Sequence, residues 1–133
     1  MSQENLKIVR RAWDAFGKHG VDAVLGFYAE DCVCEQVPEM PDRVSLKGRE
    51  GVRQRLARFA DFWEDFAIEP VELIDAGEDV VITVARVRGR GKDSGIPIEA
   101  PAAFVQELRD GQVIRDRVFL SKAEALEAAG LRE

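Results

Sequence analysis

A chain of 133 residues with 19 Lys and Arg against 25 Asp and Glu carries a formal charge of −6, and its residues are 46% hydrophobic and 33% charged. One domain of this size buries roughly two-thirds of its unfolded surface, and the balance is that of a folded globule, not a disordered segment. The acidic charge argues against a nucleic-acid backbone as partner, no run approaches the ~18 apolar residues of a membrane span, and MSQENLKIVRRAW has no apolar leader, so the expected location is the cytoplasm.

Ser2 is placed to N-cap a first helix. Leu6, Val9, Trp13 and Phe16 then recur at i, i+3, i+7 and i+10, a single buried stripe. The run from Gly17 to Gly20 stops it. Val21 to Tyr28 reads as a second short helix, and its Val24, Leu25, Phe27 and Tyr28 are enough apolar surface to pack on several sides. Cys32 to Val37 is the first strand, and Pro38, Pro41 and Gly48 mark the segment after it as a loop. Arg49 to Trp63 is the clearest helix. Val52, Leu56, Phe59 and Trp63 share one face, while Arg53, Arg55, Arg58 and Asp61 are expected on solvated faces.

After Trp63 the period turns strand-like. Phe66 to Asp75 is a strand, Ala76-Gly77-Glu78-Asp79 a tight reversal, and Val80 to Arg88 a β-branched strand. Gly89 to Gly95 reads as a hairpin tip. Its Gly89-x-Gly91 lacks the following helix that would offer amides to a phosphate. Ile96 to Leu108 is a further strand, irregular at Pro97 and Pro101, as an edge or a bulge requires. Arg109-Asp110-Gly111 turns into a closing strand, Gln112 to Leu120. Ser121-Lys122-Ala123-Glu124 is a capping box for a short last helix that stops at Gly130. Early helices followed by long antiparallel strands make residues 1–133 a single α+β domain, a strongly bent sheet covered by the aromatic stripes of the two longer helices.

Cys32 and Cys34, two positions apart, share one strand face, where a disulfide between them would be strained. They are read as free core thiols. A soft metal needs about four ligands, and His19, the single histidine, lies at a helix end; neither a metal site nor a cofactor is expected.

The order of elements resembles the nuclear transport factor 2-like superfamily and, within it, the SnoaL-like polyketide cyclase group. The likeness rests on Trp13-Asp14-Ala15-Phe16, Gly20-Val21-Asp22-Ala23, Phe27-Tyr28-Ala29-Glu30-Asp31, Gly48-Arg49-Glu50-Gly51-Val52, Leu73-Ile74-Asp75-Ala76-Gly77, Arg109-Asp110-Gly111-Gln112-Val113 and Ala123-Glu124-Ala125-Leu126, in that order along almost the whole chain. The resemblance implies a cone: a curved antiparallel or mixed sheet and N-terminal helices around an apolar pocket, often in homodimers paired through the outer sheet face. Its members include isomerases, epoxide hydrolases, dehydratases and cyclases, so the fold does not select a reaction.

By analogy with the family, strand alternation turns four sets of residues inward: Cys32, Cys34 and Gln36; Val84, Arg86 and Arg88; Ala102, Phe104 and Gln106; Ile114, Asp116 and Val118. With Trp13, Phe16, Phe59 and Trp63 from the helices, these give a pocket for a small, mostly apolar molecule. The family's catalytic groups do not carry over. The aspartate base of the steroid isomerases falls at Gln36, their helix tyrosine near Ala12 or Trp13, and their acidic oxyanion donor at Phe104. The closing-strand aspartate of the cyclases and epoxide hydrolases falls at Val118. An arginine of the epoxide hydrolases matches Arg86, but Arg88 stands where they have an acid. Asp116 and Arg86 are left as candidates, either as a bridge between strands, as ligand-orienting groups, or as acid/base and polarising residue of a cofactor-free isomerase, cyclase or hydrolase. A dimeric interaction domain with a filled cavity is the remaining alternative.

Overall fold

The first helix, α1 (Ser2–His19), forms where the apolar stripe requires it, and Val9 is its most deeply buried residue. It ends at Gly20, whose φ of 84° favours glycine and whose N–H returns to the Phe16 carbonyl at 2.9 Å. The computed structural model describes residues 2–35 and 45–131, apart from the side chains of 2, 58–60 and 62. Val21–Phe27 winds as a 3₁₀ helix. A tight 3₁₀ connector suits the short path between α1 and the sheet.

Strand β1 (Tyr28–Glu35) starts four residues before the expected Cys32, because Tyr28 already pairs with Val113 in parallel register before an irregularity between Tyr28 and Val33. Within the segment expected as a loop lies β2 (Ser45–Lys47), antiparallel to β1 with Val33 opposite Lys47. Helix α2 (Gly48–Phe62) follows at once. It lies so close to β2 that a Cβ on Gly51 would stand 2.8 Å from the Leu46 backbone.

The remaining strands are β3 (Trp63–Asp75), β4 (Val80–Gly91), β5 (Pro97–Arg109) and β6 (Gln112–Phe119), and α3 (Lys122–Ala128) closes the chain. Together they form a six-stranded sheet in the order β2-β1-β6-β5-β4-β3, antiparallel except between β1 and β6. Two register shifts in the β3–β4 pair, between Glu64 and Ala67 and between Pro70 and Glu72, add twist of the kind that curves a sheet. Pro97 and Pro101 are accommodated without breaking β5, since β6 joins only from Ala103 and the earlier part of β5 has one neighbour. Asp110 and Gly111 both have positive φ (52° and 80°), as a two-residue hairpin turn needs. Ser121 Oγ accepts the Glu124 N–H at 3.2 Å, the capping-box bond that starts α3.

The sheet is covered on its inner face and over part of its outer face. On the inner face α1 and α2 pack over Cys32, Cys34, Val81, Leu108 and Val113, and further along over Ile68, Ala85, Val87 and Phe104. On the outer face α3 sets Ala125 and Leu126 on Ile82, Ala103 and Val105. This double cover corrects one expectation. Val84, Arg86 and Arg88 face outward; the inward residues of β4 are Val81, Thr83, Ala85 and Val87. Because Ile82 and Val84 are apolar under α3 while Val81 and Val87 are apolar under the helices, hydrophobic alternation carries no information about which face of β4 is which.

Candidate functional site

Asp116 sits at the middle of the inner sheet face, with Cys34 of β1 as its Cα partner on one side and Gln106 of β5 on the other. Only 1% of its side chain is exposed. A carboxylate so placed needs donors, and two arrive on one oxygen: the Tyr28 hydroxyl donates to Oδ2 at 2.7 Å, and Arg55 Nη2 donates to the same atom at 2.9 Å. Arg55 reaches in from α2 and is itself buried, 6% exposed, with its guanidinium 5.8 Å from the centre of the Phe104 ring. Asp116 Oδ1 is buried with no hydrogen-bond partner among the described residues.

The surroundings fix the protonation of the partners. Burial pushes the Tyr28 hydroxyl well above its ordinary value, and the adjacent Asp116 charge pushes it further. Burial alone would lower Arg55, but the charge of Asp116 outweighs it, so the guanidinium is held charged. Behind Asp116, the neighbouring Cys32 thiol raises Cys34, with burial adding to it, while Cys34 in turn lowers Cys32.

A second chain of bonds runs beside the first. The Trp13 indole N–H donates to Thr83 Oγ1 at 3.1 Å, and the Thr83 hydroxyl donates to Gln106 Oε1 at 2.9 Å. Trp13 also meets Phe104 edge-on, with ring centroids 5.2 Å apart.

These groups form the closed end of a cavity of about 40 Å³, with Trp13, Phe16, Val24, Val52, Leu56, Ile68 and Phe104 as apolar walls and Tyr28, Arg55 and Gln106 as its polar groups. Such a volume holds two or three water molecules. Phe16, Leu56 and Ile68 are shared with a wider cleft of about 660 Å³, edged by Gly20, Val21, Arg53 and Phe66. The inner cavity and the wider cleft thus adjoin between α1, α2 and β3.

Of the residues expected to line a pocket, Trp13, Phe16, Phe104 and Gln106 do so. Cys34 lies behind Asp116 in the core, and Trp63 and Val118 pack in the cluster around Phe104. Gln36 and the Phe59 side chain lie outside the described residues. Arg86 and Asp116 are not brought together. Arg86 is 54% exposed and pairs with Glu99, which also takes Arg88, and Arg88 reaches Glu69 as well. Arg55 holds the place beside Asp116 that Arg86 was expected to take. Arg55 and Tyr28 were missed by sequence reasoning. The signal for Arg55 was its spacing, three residues after Val52 on the buried side of α2; for Tyr28 it was a lone polar tip in an apolar run. Among the described residues, no group of three or more His, Cys, Asp or Glu side chains is placed to hold a metal ion, and no helix is long and apolar enough to cross a membrane.

A curved, unclosed sheet with helices across its inner face, narrowing to a buried polar end, defines an α+β cone of the pocket-forming type. A family model described as the SnoaL-like domain matches residues 9–116, and the chain belongs to that family. Among solved structures it is similar to a protein with a ketosteroid isomerase-like fold from Catenulispora acidiphila DSM 44928, in complex with trimethylamine. That match has 21% identity and a TM-score of 0.72 and covers 93% of this chain and 92% of the other. It is also similar to a protein described as a SnoaL-like polyketide cyclase from Jannaschia sp. CCS1 (20% identity, TM-score 0.75, coverage 96% and 92%). A third similar structure is TerC co-crystallised with polyporic acid (15% identity, TM-score 0.77, coverage 96% and 98%). No curated protein matches the sequence.

Proposed function

We propose that the chain binds a small, mostly apolar molecule, its bulk in the cleft between α1, α2 and β3 and its inner end against Tyr28, Arg55 and Gln106. The observation that carries this reading is the buried polar cluster in an apolar cavity that adjoins the wider cleft. Apolar walls alone would suit a core, but polar side chains converging at the blind end are what orients a ligand. The inner cavity is far below the ~300 Å³ of an ordinary ligand site, so the ligand extends into the wider cleft. The trimethylamine and polyporic acid complexes of two similar folds support the reading by analogy of architecture. Native mass spectrometry of freshly purified protein tests it: a co-purifying small molecule lost on denaturation is expected, and bare protein that also takes up no apolar fragment would contradict it.

A second reading, a cofactor-free acid–base centre, is supported by the bonding of Asp116. Asp116 is screened from the cavity, but Tyr28 is not. A substrate proton passing to the Tyr28 oxygen while the Tyr28 proton passes to Asp116 Oδ2 would charge-balance the step, with Arg55 neutralising the carboxylate between turnovers. Asp116 remains the acid or base of this reading, and Arg55 replaces Arg86 as its cation. Pairing of two copies through the outer sheet face belongs to the same proposal. What supports it is the mixed-charge row of Glu69, Arg86, Arg88 and Glu99 exposed on that face. A two-fold contact brings one patch against its own copy, and a row carrying both signs avoids like-charge repulsion there. Sedimentation at micromolar concentration tests that pairing, and a monomer would contradict it.

A further inference from the structure

The Trp13–Thr83–Gln106 chain has a fixed direction. An indole N–H can only donate, so Thr83 Oγ1 accepts from Trp13. Thr83 is fully buried, and its own hydroxyl proton would be left unsatisfied unless it goes to Gln106, whose Oε1 lies 2.9 Å away. The carbonyl end of the Gln106 amide is thereby committed to Thr83. Its NH₂ end is left over: Gln106 lines the cavity, and Nε2 meets no acceptor among the described residues, although Asp116 is its neighbour across the strands. Nor is Nε2 one of the sealed, unpartnered polar atoms of the fold, so it opens on the cavity. The amide does not simply flip, because that would leave the buried Thr83 hydroxyl proton without an acceptor.

We infer that Gln106 is the specificity-determining residue of the cavity: a hydrogen-bond donor preset by Trp13 and Thr83, which selects ligands that present a carbonyl-type oxygen at their inner end. This rests on the proposed ligand-binding function and narrows it from a small apolar molecule to an apolar ketone, quinone, ester or amide. Thr83 is a positioning residue, touching the ligand only through Gln106. An isosteric hydrocarbon end would leave Nε2 desolvated and unpaired, an outcome that a buried donor disfavours about tenfold.

Acetophenone and α-methylstyrene test this, since they differ in shape only by C=O against C=CH₂. Both are titrated into ¹⁵N-labelled protein, following the Trp13 indole and Gln106 side-chain amide signals by NMR. Acetophenone is expected to bind at least fivefold more tightly and to shift the Gln106 amide. In Gln106→Met, which keeps length without a donor, the ratio is expected to fall to about one. In Thr83→Val it falls part of the way, a change in selectivity that a merely structural loss would not produce. Equal affinities in the wild type would overturn the inference while leaving the ligand site standing, as would an undiminished ratio in Gln106→Met protein whose spectrum is that of a folded chain. Binding of neither probe would remove the ligand-binding reading and this inference with it.

Discussion

Arg55 and Asp116 meet at 2.9 Å with 6% and 1% of their side chains exposed, an ion pair under the floor of the cavity. The pair costs desolvation on both sides, and its attraction offsets that cost only while both members are present. Arg55→Met and Asp116→Asn are each expected to destabilise the fold by about 3–5 kcal/mol, because each leaves the other charge or its donors without a partner. The double variant is expected to lose clearly less than the sum of the two. Denaturant midpoints of the four proteins measure this coupling; additive losses would mean that the two side chains stabilise independently.

Tyr28 is the single tyrosine of the chain, so its ionisation can be read in the near-ultraviolet without ambiguity. Burial and the Asp116 charge raise its folded-state value above the unfolded one, which lies near 10. The native state therefore holds this proton more tightly than the unfolded chain does. Its stabilising effect is fully present below about pH 10 and is lost as pH rises through the folded value. Tyrosinate absorbance is expected only well above pH 10, appearing together with loss of structure. In Tyr28→Phe, stability should start lower by about 1.5–3 kcal/mol, the worth of a hydrogen bond to a charged group. It should also fall less steeply between pH 9 and 11. A tyrosinate signal at pH 10 in folded protein would contradict the buried contact with Asp116.

Arg86 and Arg88 stand on the opposite face, half-exposed in pairs with Glu69 and Glu99. Replacing either by Ala is expected to change stability by less than about 1 kcal/mol and to leave ligand retention unchanged. Loss of ligand in Arg86→Ala, measured in the same native spectrum as the wild type, would return that residue to the site.

What could be read from the sequence and what could not divide along physical lines. The stripe Leu6, Val9, Trp13 and Phe16, the Asp110-Gly111 turn and the Ser121 cap are local signals, each satisfied within a few residues, and each marks its element in the structure. Asp116, Phe104 and Gln106 lie on strands whose inward sets hold, so their side chains do face the cavity end of the sheet. The face of β4 was illegible because α3 makes its outer side apolar too. For Arg55 the spacing signal was outweighed, for the opposite reason. A charged residue on an amphipathic helix is ordinarily solvated, and only a carboxylate from β6, sixty-one residues away in sequence, draws it inside. Tyr28 depends on the same distant partner. Strand β2 is three residues long and gains its identity only by pairing with β1.

The most direct test of ligand binding above the Tyr28–Asp116–Arg55 floor is a native mass spectrum of the wild type beside Ala12→Trp, whose new indole would fill the inner cavity that Ala12 lines. A small-molecule adduct on the wild type, much reduced in Ala12→Trp at unchanged fold, is the expected result. An adduct of equal intensity on both proteins would place the ligand elsewhere and contradict the account.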